Sequence, residues 1–344
     1  MKTIAKEKIA DLLNILAREY ELYAPVSQDG LSCDFEHVDS AEKITLDFYN
    51  TAEPPKKLFF PQKETLYSFD ADGRAEPAEV KSGKQRIIFG VRPCDLRSFR
   101  LLDRIFNGKY QDPYYIERRK NTVLFGLACN DPQSSCFCTA LGFGPHFKDD
   151  CDVFVIDLGR KYLFEPVSDK GREVLDKIPG LVDSATEDIE FAEKLKKQAE
   201  ENIDIDKELD MEGLAEKLLE LYDSRAWDEI HQRCLACGIC TFLCPTCHCF
   251  DLLDEAGKDK FRKLRVWDSC MYENFNLEAS GHNPRATGKE RMRQRIMHKF
   301  SYIPRNFDMF GCVGCGRCMR KCPACMNIIK AIEKVRASEV KQSK

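Results

Sequence analysis

One cysteine spacing occurs twice in the chain, as Cys234-x-x-Cys237-x-x-Cys240-x-x-x-Cys244-Pro245 and as Cys312-x-x-Cys315-x-x-Cys318-x-x-x-Cys322-Pro323. Few patterns constrain a fold so tightly. Three thiolates at this spacing converge from one tight loop on three corners of a four-iron, four-sulfur cube. The fourth cysteine follows a short helical step, points away and reaches a partner cube, and the proline ends the run. The usual pairing predicts one [4Fe–4S] cluster on Cys234, Cys237, Cys240 and Cys322, and a second on Cys312, Cys315, Cys318 and Cys244.

Two other readings of paired cysteines are weaker. A structural zinc site needs four ligands and typically shows two Cys-x-x-Cys pairs, with no third cysteine at the next two-residue step. Here the triplet, the fourth cysteine and the proline are all repeated. Disulfide-dense chains are small and secreted, whereas these 344 residues suffice for two or three ordinary domains.

With 32% charged and 43% hydrophobic residues and a net charge of −4, the composition is that of a globular protein with ample core. It offers no concentrated basic face for nucleic acid. No run approaches the roughly 20 apolar residues of a membrane helix, so no membrane insertion is expected. The N-terminal residues Met1–Lys8 lack the apolar stretch of an export signal. Eighteen cysteines without such a signal read as metal ligands in a reducing, anaerobic cytoplasm.

The fold class expected is an α/β N-terminal domain, residues 1–200, followed by an α-helical two-cluster ferredoxin domain, residues 201–344. Apolar spacing predicts a helix over Thr3–Glu21 and strand-like pieces at Lys43–Tyr49 and Leu58–Phe60. Arg86–Val91 and Thr122–Leu127 read as buried strands flanking a helix over Asp95–Phe106, which is the parallel βαβ unit. Phe154–Asp157 and Lys161–Phe164 add further strands. Charged helical segments follow at Glu187–Ala199 and Met211–Tyr222, and Ile328–Ala337 reads as a last helix. The two cysteine runs are separated by an insert long enough to suggest helices packed around the clusters.

A right-handed βαβ crossover brings the carboxyl ends of its strands to one edge of the sheet, where open α/β sheets place their ligands. Cys94 and Cys129 each follow one of these strands, and Cys136 and Cys138 lie just downstream. Four cysteines on one rim predict a third metal site, a [4Fe–4S] cluster with zinc as its rival, the alternative being that they are small buried hydrophobes. Cys247, Cys249 and Cys325 are expected to pack near the clusters and Cys270 to be a buried thiol; Cys33 and Cys151 are unassigned. Arg285, Lys289, Arg291, Arg293, Arg295 and Lys299 read as a solvated or partner-facing helix surface. His282 and Arg285 are candidates for hydrogen bonds near a cluster, or for a simple polar cap. No phosphate-binding Gly-x-x-x-x-Gly-Lys-Ser/Thr is present, and Gly142-Phe143-Gly144 lacks a dinucleotide-binding context.

Several further motifs occur in order: Pro54-Pro55-Lys56-Lys57, Phe89-Gly90-Val91-Arg92-Pro93-Cys94-Asp95, Cys136-Phe137-Cys138, Cys244-Pro245-Thr246-Cys247, Trp267-Asp268-Ser269-Cys270 and Gly281-His282-Asn283. With the two ferredoxin runs they resemble the beta subunit of soluble sulfhydrogenases and the corresponding iron–sulfur subunit of anaerobic sulfite reductase, over nearly the whole chain. Pro323-Ala324-Cys325 and Pro284 are departures from that pattern. The resemblance implies an iron–sulfur electron-transfer subunit without catalytic residues of its own. It would stand between a flavin subunit that meets NAD(P)H, where the FAD resides, and the catalytic subunit of a hydrogenase, sulfur reductase or sulfite reductase. A subunit of an electron-bifurcating heterodisulfide-reductase-like complex and a stand-alone iron–sulfur reductase are the alternatives.

Overall fold

The computed structural model describes residues 1–27, 32–70, 72–80, 83–205, 209–257 and 261–338. Along the chain the strands are β1 (Lys2–Ala5), β2 (Glu21–Ser27), β3 (Cys33–His37), β4 (Lys63–Phe69), β5 (Ala75–Pro77), β6 (Arg86–Val91), β7 (Thr122–Leu127), β8 (Val153–Asp157), β9 (Lys161–Pro166), β10 (Val182–Asp183), β11 (Phe250–Ala256) and β12 (Phe261–Trp267). The residues fall into two compact units. The first comprises Met1–Phe59, Lys81–Lys207 and Val313–Cys315; the second comprises Phe60–Val80, Glu208–Cys312 and Gly316–Lys344.

In the first unit one sheet runs in the order β10-β1-β9-β8-β7-β6-β2-β3. Its centre, β2-β6-β7-β8, is parallel, and the flanking strands are antiparallel. The sequence dictates this centre: β6 and β7 are short runs of branched and aromatic residues that are almost wholly buried, as strands covered on both faces must be. The predicted βαβ unit is present, with Ile87 opposite Val123 and Ile88 opposite Leu124. Its helix, Pro93–Phe106, starts on a proline pre-set for a first helical turn and buries Leu96, Phe99 and Leu102. Gly126 lets this helix approach the sheet closely. A Cβ there would stand 2.7 Å from Leu96 Cδ1 and 3.1 Å from Phe154 Cδ2.

The N-terminal helix is shorter than its pattern predicts. Lys2–Ala5 is strand β1, and the α-helix covers Ile9–Glu19. Pairing of β1 with the distant β9 and β10 overrides the local helical spacing and buries Ile4. Over 43–49 the apolar alternation produces only an isolated bridge, between Val26 and Ile44.

The second unit contains the helices Leu214–Glu220, Ala226–Ile230, Gly288–Met297, Ile303–Phe307 and Ile328–Arg336. It also contains an antiparallel sheet, ordered β11-β12-β4-β5, so this part of the chain is not purely α-helical as expected. The hairpin β11–β12 occupies the insert between the cysteine runs. Its period-2 signal is hidden because Arg265 occupies a buried position. Arg265 is neutralised there by Glu64 of β4 at 2.6 Å, both side chains being 5% exposed. Among the described residues no helix is long and apolar enough to cross a membrane.

Replacing Gly126 by alanine is expected to lower stability by about 1–3 kcal/mol, because Leu96 and Phe154 must move within a packed interior. Denaturant unfolding of the variant beside the parent measures this.

Candidate metal centres

The two cysteine runs of the second unit fold by the same local rules. Each short helix, Ile239–Phe242 and Arg317–Arg320, starts directly after a left-handed glycine, Gly238 or Gly316. The helices end in matching turns, with Cys244 N donating to Thr241 O at 3.3 Å and Cys322 N to Met319 O at 3.4 Å. The next turns match as well: Cys247 N donates to Cys244 O, and Cys325 N to Cys322 O.

Cys234, Cys237, Cys240 and Cys322 all line one cavity, with Cys318 beside them. Three of these residues come from the first run, and Cys318 and Cys322 from the second. Met271, Met292, Ile296 and Ile328 make much of the wall, and about 40 Å³ is open to water centres. Backbone amides point at two sulfurs: Ala236 N donates to Cys234 Sγ at 3.4 Å, and Met326 N to Cys322 Sγ at 3.3 Å. An apolar wall with inward N–H donors suits a cluster carried on thiolates.

Cys244, Cys312 and Cys318, from the second predicted set, also lie in this unit, and Cys244 is buried. Cys315 belongs to the stretch Val313–Cys315 of the first unit. The surroundings of Cys244 are unlike those of Cys322. Lys299 Nζ donates to Cys244 Sγ at 3.1 Å, to Thr246 Oγ1 at 3.1 Å and to Gly311 O at 2.9 Å. Lys299 is 4% exposed, and Arg295, one helical turn earlier, is 5% exposed. Burial works against both charges. Attraction to the sulfurs of Cys244, Cys247 and Cys312 outweighs it for Lys299, and to those of Cys240 and Cys318 for Arg295, so both cations are held above their usual pKa ranges.

The basic stretch is therefore not the outer surface that its charge suggests. Lys289 pairs with Asp228 at 2.5 Å and Arg293 lies over Tyr222, but Arg291, Arg295 and Lys299 face inward. Arg291 donates to the carbonyls of Arg285 and Ala286. The missed signal was the spacing: the three cations recur every fourth residue and sit beside the buried Met292, Ile296 and Phe300. The helix Gly288–Met297 continues into a π-helical turn, His298–Tyr302, which carries Lys299. Arg285 donates to Asn276 Oδ1 at 2.7 Å, and His282 takes part in a local turn through Glu278 N and Ser280 Oγ. Of the remaining cysteines, Cys270 is buried and hydrogen-bonded to Cys249, and Cys247 to Cys244, while Cys325 is exposed. Cys33 and Cys151 are buried in the first unit.

In the first unit Cys94, Cys129, Cys136 and Cys138 line a single cavity, which Cys315 also reaches. About 30 Å³ there is open to water centres. Cys94 sits in the first turn of the helix that follows β6, and Cys129 lies just beyond β7, as the rim geometry requires. Burial pushes the Cys129 and Cys138 thiols up, and Arg92 works in the opposite direction on Cys129. Arg92 is itself buried; it donates to Ala128 O at 2.5 Å and to Phe48 O, and lies over the Phe48 ring. The loop carrying Cys138 is held by Gly314, whose carbonyl accepts from Phe137 N at 3.0 Å. Gly314 has φ +59°, and a Cβ there would stand 2.5 Å from Cys138 N. A second cavity, of about 580 Å³ and with a mixed polar and apolar wall, adjoins this one. Arg92, Cys129 and Asp131 line both cavities.

Among the described residues no three Cys, His, Asp or Glu side chains are gathered as a site for one metal ion. The cysteines border cavities instead, which is the arrangement that suits a cluster held at its corners.

Residues 233–326 match the family described as a 4Fe-4S dicluster domain. That match and the cysteine geometry define the class: an iron–sulfur electron-transfer protein with a ferredoxin-type pair of cysteine runs. The chain is also 33% identical, over 336 residues, to sulfhydrogenase 2 subunit beta of Pyrococcus furiosus, covering 96% of each protein. It belongs to the family of sulfhydrogenase beta subunits. No solved structure matches it.

Gly314→Ala is expected to displace the loop carrying Cys138 and to cost about four irons per chain after identical anaerobic reconstitution. Iron and protein determination on variant and parent checks this.

Proposed function

We propose that the chain relays electrons between the catalytic subunit of an anaerobic, cytoplasmic oxidoreductase complex and its NAD(P)H-linked flavin subunit. Of the candidate complexes, the sulfhydrogenase type is favoured by the name of the Pyrococcus relative over the sulfite reductase and heterodisulfide-reductase-like types. The observation that carries the reading is the cavity bordered by Cys234, Cys237, Cys240 and Cys322, which gathers thiols from both runs behind an apolar wall.

On this reading residues 201–344 hold two [4Fe–4S] clusters. The first is held by Cys234, Cys237, Cys240 and Cys322, the second by Cys312, Cys315, Cys318 and Cys244. Residues 1–200 hold a third through Cys94, Cys129, Cys136 and Cys138. When bound, these clusters supply one-electron redox centres with no need for bond chemistry in this chain. The protein's residues hold the thiolates in place, keep water out with Met271, Met292 and Ile296, and direct N–H donors at sulfur. FAD is assigned to the flavin partner.

A stand-alone reductase is the second reading. The larger cavity beside Cys129 and Arg92 favours it, because it offers a substrate room next to the third site.

Anaerobic native purification of the tagged chain separates the two. Co-elution with a flavoprotein and a nickel–iron subunit is the expected outcome. A chain that elutes alone and reduces a substrate with an artificial donor supports the second reading instead. Iron should amount to about twelve per chain in the parent and about eight in the double variant Cys94→Ser/Cys129→Ser.

A further inference from the structure

The two fourth cysteines, Cys244 and Cys322, are equivalent by position in the repeat but not by environment. After Cys322 comes Pro323-Ala324, and its sulfur accepts from the neutral amide of Met326. After Cys244 comes Pro245-Thr246, and its sulfur accepts from the Lys299 ammonium. An ammonium has three N–H donors, and Lys299 Nζ has three acceptors around it: the sulfur, the Thr246 hydroxyl and the Gly311 carbonyl. Thr246 Oγ1 donates in turn to Gly311 O at 2.7 Å, which leaves its lone pairs facing Lys299. Arg295, one turn earlier, lines the cavity bordered by Cys322 and donates to Cys240 O at 3.4 Å, so the cation that meets the Cys244 sulfur is Lys299.

A buried cation is costly unless it faces a compensating negative charge. Thiolate-bound clusters provide one, and hydrogen bonds and positive charge near the sulfurs raise the reduction potential of a cluster. We infer that Lys299 is a positioning residue that sets the cluster ligated by Cys244 at a higher potential than the one ligated by Cys322. The Cys244 cluster is then the member of the pair that holds the electron at equilibrium, a bias written into the asymmetry Thr246–Lys299 against Ala324. This inference rests on the proposed ligand sets.

The test is an anaerobic redox titration followed by electron paramagnetic resonance, on the reconstituted full chain and on Lys299→Met, Lys299→Gln and Lys299→Arg. The parent should show two separable one-electron waves from the dicluster part. In Lys299→Met and Lys299→Gln, at full iron content, the higher wave is expected to fall. Its ratio of reduced to oxidised cluster at a fixed potential should drop at least tenfold, a shift of about 59 mV for a one-electron couple. The lower wave should stay, and Lys299→Arg should restore most of the loss. Neutral variants with full iron and waves within twofold of the parent overturn the inference. So does iron loss in both neutral variants, which would make Lys299 a holder of the cluster and not its tuner. A parent lacking any pair of one-electron waves defeats the ligand assignment itself, a result distinct from the other two.

Discussion

Gathering thiolates in a dry interior concentrates negative charge where water cannot screen it, and the fold answers with cations buried beside them. Arg92 stands behind Cys94 and Cys129 in the first unit, and Arg295 and Lys299 stand among the cysteines of the second. Taking such ions out of water carries a penalty of several kcal/mol each. They are tolerable because their N–H groups meet carbonyls and, for Lys299, the Cys244 sulfur. Much of the local architecture serves this balance. The strand-to-helix turn at Arg92 puts a guanidinium under the rim, and the helix from Gly288 runs its basic stripe inward.

The balance also distinguishes the two units. In the first, the sheet does the positioning: parallel strands end together, and loops from those ends carry the thiols. In the second, short helices capped by glycine do it, and the repeated turn after each fourth cysteine fixes where that sulfur points. The methionine-rich wall around the first-run cysteines adds a soft, polarizable lining that adapts to an irregular surface.

How much of this was legible in the sequence differs from element to element. The βαβ unit was, because β6 and β7 are apolar throughout and the helix between them shows a single buried stripe. The convergence of Cys94, Cys129, Cys136 and Cys138 followed from that topology. Strand β1 was not legible, since its partners lie more than 150 residues away and only tertiary pairing selects it. Nor was the β11–β12 hairpin, whose edge strand is largely exposed and whose buried Arg265 looks like a surface residue until Glu64 is placed beside it. The inward basic stripe was concealed for the same reason. Charge in a sequence reads as solvent exposure, and only the thiols around Arg295 and Lys299 explain why these two are inside.

The hydrogen bond from Phe137 N to Gly314 O bears on how the protein is made. A ribosome delivers the chain from its N-terminus, and early segments fold while later ones are still being translated. The α/β unit, however, draws Val313–Cys315 into its own contacts. Its sheet can form early, but the loop bearing Cys136 and Cys138 lacks its final clamp until Gly314 has been synthesised. The last clamp on that loop is thus a contact between residues 177 positions apart, and it cannot form until translation has reached the second cysteine run.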